Sequence, residues 1–369
     1  MSDIGNVRFQ RLTTVPPAGR PWLSLFLVIP LAMLLTAGCN SERRSPSSYS
    51  DYQEDSDYPL ASPLDEFYPP TPMTPVVSMR KLLGVNSESH FDRSGLDYVT
   101  AILAESGATT LEPLRGQPLR QLDIARTSIS DLAPITGMPL ESLACPGCPI
   151  LDLTPLSGSS IQILDLSETQ ATDFSPLATL SQLRELYLEK TAFSDLTIIQ
   201  KLPLEKLWLT ECPVSELAPL EGKSIVELNL CRTQIDSLKP LSTCSLQTLW
   251  LCGTRIQDLS PLKSLELVSL DLEETPVTDL SPLREMKSLK RLNLAGSEVA
   301  DLTPLANLEL VRLIFSPEKI TSGIDVVRGM KSLQQIDVSF DGMAPVMTAS
   351  EFWELYDTGK FKPESPEDQ

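Results

Sequence analysis

Leu119-Arg120-Gln121-Leu122-Asp123-Ile124-Ala125-Arg126-Thr127-Ser128-Ile129-Ser130-Asp131-Leu132-Ala133-Pro134-Ile135 follows the template L-x-x-L-x-L-x-x-T-x-I-x-D-L-x-P-L, with isoleucine at the last position. The same spacing restarts at Leu140, Ile161, Leu183, Leu204, Ile225, Leu246, Leu267 and Leu289, each 21 or 22 residues after the last. A degenerate copy starts at Leu310, with a remnant at Leu333. Upstream, Tyr98, Ala101, Leu103, Ser106, Ala108, Leu111, Pro113 and Leu114 fall on the same template, so Tyr98 to Leu103 is expected to be a strand, although a helix competes locally. A period of this length makes self-similarity the first guide to the fold. The L-x-L core alternates with period two, so Leu122 and Ile124 point to one face and Asp123 to the other. A strand this short cannot bury its own leucines, and only stacking on its neighbours encloses them.

The repeat resembles the leucine-rich repeat family, and its D-L-x-P-L half is similar to the internalin-type and phosphatase-regulator-type subclass. The resemblance implies an α/β-type solenoid over residues 98–342: a curved stack with a parallel, concave β-sheet and a 3₁₀ or irregular convex side. Position nine, usually asparagine or cysteine in the family, is here Thr127, Cys148, Thr169, Thr191, Cys212, Thr233, Thr254, Thr275 and Ser297. A small inward polar group there is expected to hydrogen-bond the backbone of the turn. On the convex side, serine or threonine before proline is expected to act as an N-cap, with proline in the first helical position. The aligned Asp152, Asp173, Asp195, Asp258, Asp279 and Asp301 are expected to be structural, with cation binding the alternative.

Composition narrows the function. Forty-nine acidic against 30 basic residues give a net charge of −19, which excludes a binder that must neutralise nucleic-acid phosphates. Hydrophobic residues make up 41% of the chain and aromatics only 6%, so the core must be aliphatic. The single histidine, His90, precedes the clear repeats and leaves little for His-based catalysis or metal binding. A glycine-rich phosphate loop and a nucleophile elbow are missing from the sequence, so no catalytic residue, metal or cofactor is assigned.

Residues 21–41 carry no charge, follow Arg8, Arg11 and Arg20, and contain the apolar run Leu23 to Ile29, as in a signal peptide. Leu34-Leu35-Thr36-Ala37-Gly38-Cys39 resembles the lipobox of bacterial lipoproteins. That resemblance implies a signal peptide over 1–38 and lipidation at Cys39, so that the protein meets the membrane through its N-terminal lipid. Asn40 in the next position then favours the outer membrane of a two-membrane cell, facing the periplasm or the exterior. An uncleaved anchor is the alternative, because about 18 uncharged residues can span a bilayer. Residues 39–78, rich in serine, proline and acid, are expected to be a disordered spacer, and 79–97 an N-terminal flank. Thr348-Ala349-Ser350-Glu351 reads as a capping box opening a short helix within 343–369, expected to close the last repeat. The stretch Phe352 to Phe361 also resembles the ending of a group of bacterial leucine-rich repeat proteins, some of which carry a kinase domain; this chain has no kinase signature.

Six cysteines remain beyond Cys39. Register turns Cys145 and Cys148 inward, which argues against a redox C-x-x-C. Cys231 and Cys252 share position seven of neighbouring repeats, with Cα atoms expected ~5 Å apart. That spacing permits a disulfide, although parallel Cβ vectors aim the sulfurs poorly. Position five is the informative column for binding: Asp123, Ala144, Asp165, Tyr187, Trp208, Asn229, Trp250, Asp271 and Asn293. Tyr187, Trp208 and Trp250, with Asn229 between them, are the candidate protein-binding residues, because clustered aromatics resemble interface hot spots. The competing reading makes them ordinary β-formers, or rings packed on aliphatic stems such as that of Lys206. Nearby acids, Glu185, Glu189, Glu205, Glu211, Glu227, Glu273 and Glu274, suggest a partner with positive charge at its rim. The expected partner is a protein ligand; the alternative is a structural envelope scaffold or a cell-wall-glycan binder using the aromatics as platforms.

Overall fold

The computed structural model of the protein describes residues 74–95, 97–339 and 347–361. Cys39, the lipobox and most of the spacer lie outside the described residues. Helix α1 (Val76–Leu83) begins inside the stretch assigned to the spacer and seats Met79 and Leu83 in the core. Two antiparallel strands follow, β1 (His90–Ser94) and β2 (Asp97–Ile102). Tyr98 to Ile102 is thus strand, not helix. His90 is exposed on β1, 3.0 Å from Asp92.

One strand of three residues then comes from each repeat. These are β3 (Gln121–Asp123), β4 (Ser142–Ala144), β5 (Ile163–Asp165), β6 (Glu185–Tyr187), β7 (Lys206–Trp208) and β8 (Glu227–Asn229). They continue as β9 (Thr248–Trp250), β10 (Ser269–Asp271), β11 (Arg291–Asn293), β12 (Arg312–Ile314) and β13 (Gln335–Asp337). All thirteen form one sheet in chain order, and every pair after the first is parallel. The degenerate copies at Leu310 and Leu333 therefore still deliver strands. Period and register agree: Leu122, Leu143, Leu164, Leu186, Leu207, Leu228, Leu249, Leu270, Leu292 and Leu313 form one buried row.

Opposite the sheet, each regular repeat makes a short 3₁₀ segment with proline in its first turn, except the Leu196–Ile199 segment, which lacks the proline. The capping differs from the sequence expectation. Serine or threonine before proline is not the N-cap: in the repeat of Asp258 that place is held by Leu259, which makes no side-chain bond. Asp258 closes the turn instead, its Oδ1 accepting the Ser260 N–H at 2.8 Å and its Oδ2 the Ser260 hydroxyl. Asp131, Asp152, Asp173, Asp195, Asp279 and Asp301 likewise accept the N–H two residues on. The serine or threonine is already the first residue of the segment, so its hydroxyl is not placed before the free N–H groups that open the turn, whereas a carboxylate two residues earlier is. These bonds hold the carboxyls of Asp152, Asp173 and Asp258 below the usual carboxylate range. Among the described residues, no three His, Cys, Asp or Glu side chains converge as a metal site.

Position nine forms a ladder with two kinds of rung. Each threonine or serine donates to the carbonyl three residues before it, as Thr127 does to Ile124 and Thr233 to Leu230. Each cysteine donates to the repeat before: the Cys148 thiol reaches the Ile124 carbonyl at 2.9 Å, and Cys212 that of Leu188. One carbonyl thus takes a hydroxyl from its own turn and a thiol from the next, which satisfies backbone that the core hides from water.

The ends are closed differently. At the last repeat the regular pattern fades: α2 (Ile324–Arg328) replaces a 3₁₀ segment, and Gly323 before it, with φ of 84°, is so close to the Leu302–Thr303 peptide that a Cβ would overlap it. The segment around Thr348 then bridges β13 antiparallel, and α3 (Ala349–Asp357) opens with the expected Thr348/Glu351 capping box. Phe352 of α3 is fully buried against Phe315.

Candidate functional site

The register lays the position-five residues side by side along the sheet face: Asp165, Tyr187, Trp208, Asn229, Trp250 and Asp271 occupy consecutive strands. Two chemistries alternate within this one column. Aspartate and asparagine fold back on their own strand ends, Oδ1 accepting the N–H two residues later: Asp123 from Ala125, Asp165 from Ser167, Asn229 from Cys231, Asp271 from Glu273 and Asn293 from Ala295. Those groups serve the turn, and Asp165 and Asn293 are buried. Pointing to the outward face therefore does not by itself leave a position-five side chain exposed.

A tyrosine or tryptophan has no acceptor short enough for that bond, so these side chains pack on one another instead. The Tyr187 and Trp208 rings lie 5.3 Å apart at 72°, and Trp208 and Trp250 lie 5.5 Å apart at 63°. Both are edge-to-face contacts, the arrangement ring quadrupoles favour. Trp208 and Trp250 stand on β7 and β9, strands separated by about 9.6 Å, twice the usual strand spacing. Their indoles thus lean together over the shorter Asn229. All three aromatics and Asn229 remain partly accessible.

Carboxylates surround this aromatic chain. At positions three, five and seven from β3 to β10 there are seven acids, Asp123, Asp165, Glu185, Glu189, Glu227, Asp271 and Glu273, and one base, Lys206. Lys206 Nζ is already 3.3 Å from Glu185, whose other oxygen accepts the Tyr187 hydroxyl at 2.8 Å. Burial, then the charge of Glu185, pushes the Tyr187 phenol well up. Burial pushes Asp165 up to about 6, and burial with the charge of Asp271 pushes Glu273 up to about 7, against the relief of a bond from Asn293. Burial also raises Glu189, Asp271 and Asp123. Basic side chains return on the face at Arg291 and Arg312, the latter paired with Asp337 at 3.1 Å. A hollow of about 80 Å³ between Trp250 and these arginines is far smaller than ligand pockets of several hundred Å³, so the candidate site is an open surface.

Cys231 and Cys252 follow Asn229 and Trp250 on the same strands, and their sulfurs meet as a disulfide with Cα atoms 4.5 Å apart. Cys145, Cys148, Cys212 and Cys244 are free and buried, as register requires of the first two. One column escaped the sequence reading altogether. Position eight is left-handed at every regular repeat, with φ near 54–60° at Arg126, Glu168, Lys190, Glu211, Arg232 and Glu274, and glycine at 147, 253 and 296. Its long side chains pair along the stack: Arg126 with Glu105 at 3.0 Å, Lys190 with Glu168 at 3.1 Å and Arg232 with Glu211 at 3.2 Å. The recurrence of glycine among charged residues at one repeat position was the available signal.

Similarity in three dimensions bears on the fold. An internalin (inlF) of Listeria monocytogenes aligns with a TM-score of 0.59 and 20% identity over 77% of this chain and 95% of that one. The fold is a leucine-rich-repeat solenoid. A leucine-rich repeat protein of Leptospira interrogans aligns with the solenoid at a TM-score of 0.49 and 21% identity, over 61% of each chain. The functional domain of InlJ from Listeria monocytogenes, described as including a cysteine ladder, aligns at 0.43 and 20% identity, over 65% of this chain and 55% of its own. No protein-family model and no curated protein sequence matches the chain.

Proposed function

We propose that this protein is an exported, lipid-anchored interaction module that holds a protein ligand on its sheet face, over Tyr187, Trp208, Asn229 and Trp250. The observation that carries the reading is the aromatic chain. In a polypeptide with 6% aromatics, three adjoin on one face and keep part of their surface open, whereas the aspartates and asparagines of the same column turn back on their own backbone. Large, preordered rings at the centre of a polar surface are what binding hot spots require. A repeat stack supplies the extended face and leaves the choice of ligand to its surface residues.

The anchor rests on the resemblance of Leu34 to Cys39 to a lipobox, with the proline-rich stretch after Cys39 acting as a spacer. Among the described residues no helix is long and apolar enough to cross a membrane. Mass spectrometry of the membrane fraction should find a mature chain beginning at a lipidated Cys39; membrane attachment unchanged in Cys39→Ser would contradict it. A glycan-binding scaffold is the rival reading. Sugar platforms use flat, open ring faces, and edge-to-face packing covers part of each ring here, which favours a protein.

A photo-crosslinking residue placed at Asn229, between the indoles, tests the binding face directly. It should capture a distinct protein from envelope extract, and Trp208→Ala should weaken that complex by ~2 kcal/mol, about thirtyfold. Self-crosslinking alone, with a matching shift in size-exclusion, would make the protein an architectural scaffold.

A further inference from the structure

Within this reading, we infer that the ligand is an extended cationic peptide segment of about seven to nine residues. It lies across the strands with lysine or arginine near both ends and apolar side chains over Tyr187, Trp208 and Trp250. The inference rests on the aromatic face proposed above and adds the chemistry of its occupant.

Charge and spacing together carry it. The aromatic chain is bracketed in its own column, with Asp165 next to Tyr187 on one side and Asp271 next to Trp250 on the other. Position seven adds a second acid at each end, Glu189 after β6 and Glu273 after β10, and Glu227 stands in position three at the middle. At positions three, five and seven of this stretch the one base, Lys206, is paired with Glu185. The face therefore carries carboxylates at two ends of an apolar centre, Asp165 buried and Glu189, Asp271 and Glu273 partly open, and the nearest cations, Lys190 and Arg232 in position eight, are shared with Glu168 and Glu211. A partner that brought carboxylates would meet repulsion at both ends; one that brought ammonium or guanidinium groups would offset the excess of negative charge, and could place a cation against an indole face as well.

From β5 to β10 there are five strand intervals, about 24 Å at the usual spacing, which an extended chain covers in about seven residues. Arg291 and Arg312 stand beyond this bracket on β11 and β12 and oppose any further run of positive charge. The site consequently has a length as well as a sign.

Three synthetic nonapeptides of one length test the inference on the full chain at physiological salt, read by tryptophan fluorescence and calorimetry. Each has a glycine and leucine centre; the ends are two lysines, two glutamates or two serines. The lysine-ended peptide should bind at least tenfold more tightly than the other two, and a fifteen-residue version with lysine throughout should gain nothing. Asp271→Asn combined with Glu273→Gln should reduce this preference severalfold, and Trp250→Ala should weaken all binding, with circular dichroism confirming that both variants fold. Equal affinity for the three peptides, lost in Trp250→Ala, would overturn the cationic ligand while leaving the aromatic binding face intact. Lysine-peptide binding indifferent to Trp250→Ala would overturn both, as simple attraction to an acidic protein. No binding by any peptide up to millimolar concentration, or displacement of the lysine peptide by a neutral cell-wall oligosaccharide, would also overturn the inference.

Discussion

The repeats of β6, β7 and β9 and those of β3, β5 and β10 share one backbone and one buried leucine row, yet their position-five side chains behave in opposite ways. In the outer set, Asp123, Asp165 and Asp271 close hydrogen bonds on the N–H two residues on. In the inner set, Tyr187, Trp208 and Trp250 make contacts from repeat to repeat along the stack. The same position is thus a device for finishing a strand or for building a surface, and the difference lies in whether the side chain carries an acceptor on a short enough stem. Asn229 shows both at once: it makes the turn bond of the outer set while lying beneath the indoles of the inner one.

Four measurements probe this contrast. The largest effect belongs to what the two regions share. Leu249→Ala under the aromatic centre and Leu164→Ala under the acidic flank should each cost ~2 to 5 kcal/mol in chemical denaturation, because both leucines are fully buried. A large difference between them would mean that the core itself, and not only the surface, differs between centre and flank.

The next concerns Asp165, whose carboxyl is raised in the folded state to about 6 from an unfolded value near 3.8. A raised acid binds its proton more tightly when folded, so ionised Asp165 detracts from stability above pH 6, and this is relieved as pH falls from 6 towards 4. Asp165→Asn keeps the Oδ1 acceptor for Ser167 and removes the charge. It should therefore be more stable than the parent at pH 7, by up to ~3 kcal/mol, with the advantage vanishing near pH 4. An advantage independent of pH would refute the burial argument.

A smaller effect tests the aromatic chain. A double-mutant cycle on Trp208→Ala and Trp250→Ala should return ~1 kcal/mol of coupling, since the two rings touch although their strands do not pair. Zero coupling would make each indole an independent surface residue. The smallest belongs to the convex side. Asp258→Ala removes two bonds to Ser260 at an exposed turn and should lower the melting temperature less than any of the changes above that destabilise the fold, whereas Asp258→Asn, which keeps an acceptor, should lower it less still.

The period of 21 or 22 residues was sufficient for the fold, because a repeated L-x-L cannot bury itself except by stacking, and this holds whatever the intervening residues do. The same arithmetic recovered the strand at Tyr98 and turned Cys145 and Cys148 inward, while the local Thr348-x-x-Glu351 motif placed the C-terminal capping box. It also put Tyr187, Trp208 and Trp250 in one column. Other features were hidden from it because they depend on how closely neighbouring turns approach. The aspartate bond that replaces the expected N-cap depends on where the 3₁₀ segment begins, which puts the serine inside the turn and not ahead of it. The left-handed position eight and its ladder of ion pairs need the backbone angle before the side chains can be aligned. Sequence by itself determined which residues are inward, because alternation and period are properties of the chain. Only the tertiary structure decided what the outward residues do: whether a side chain bonds its own backbone, touches the next repeat or stays open depends on distances of a few ångströms between strands that the sequence places in order but does not measure.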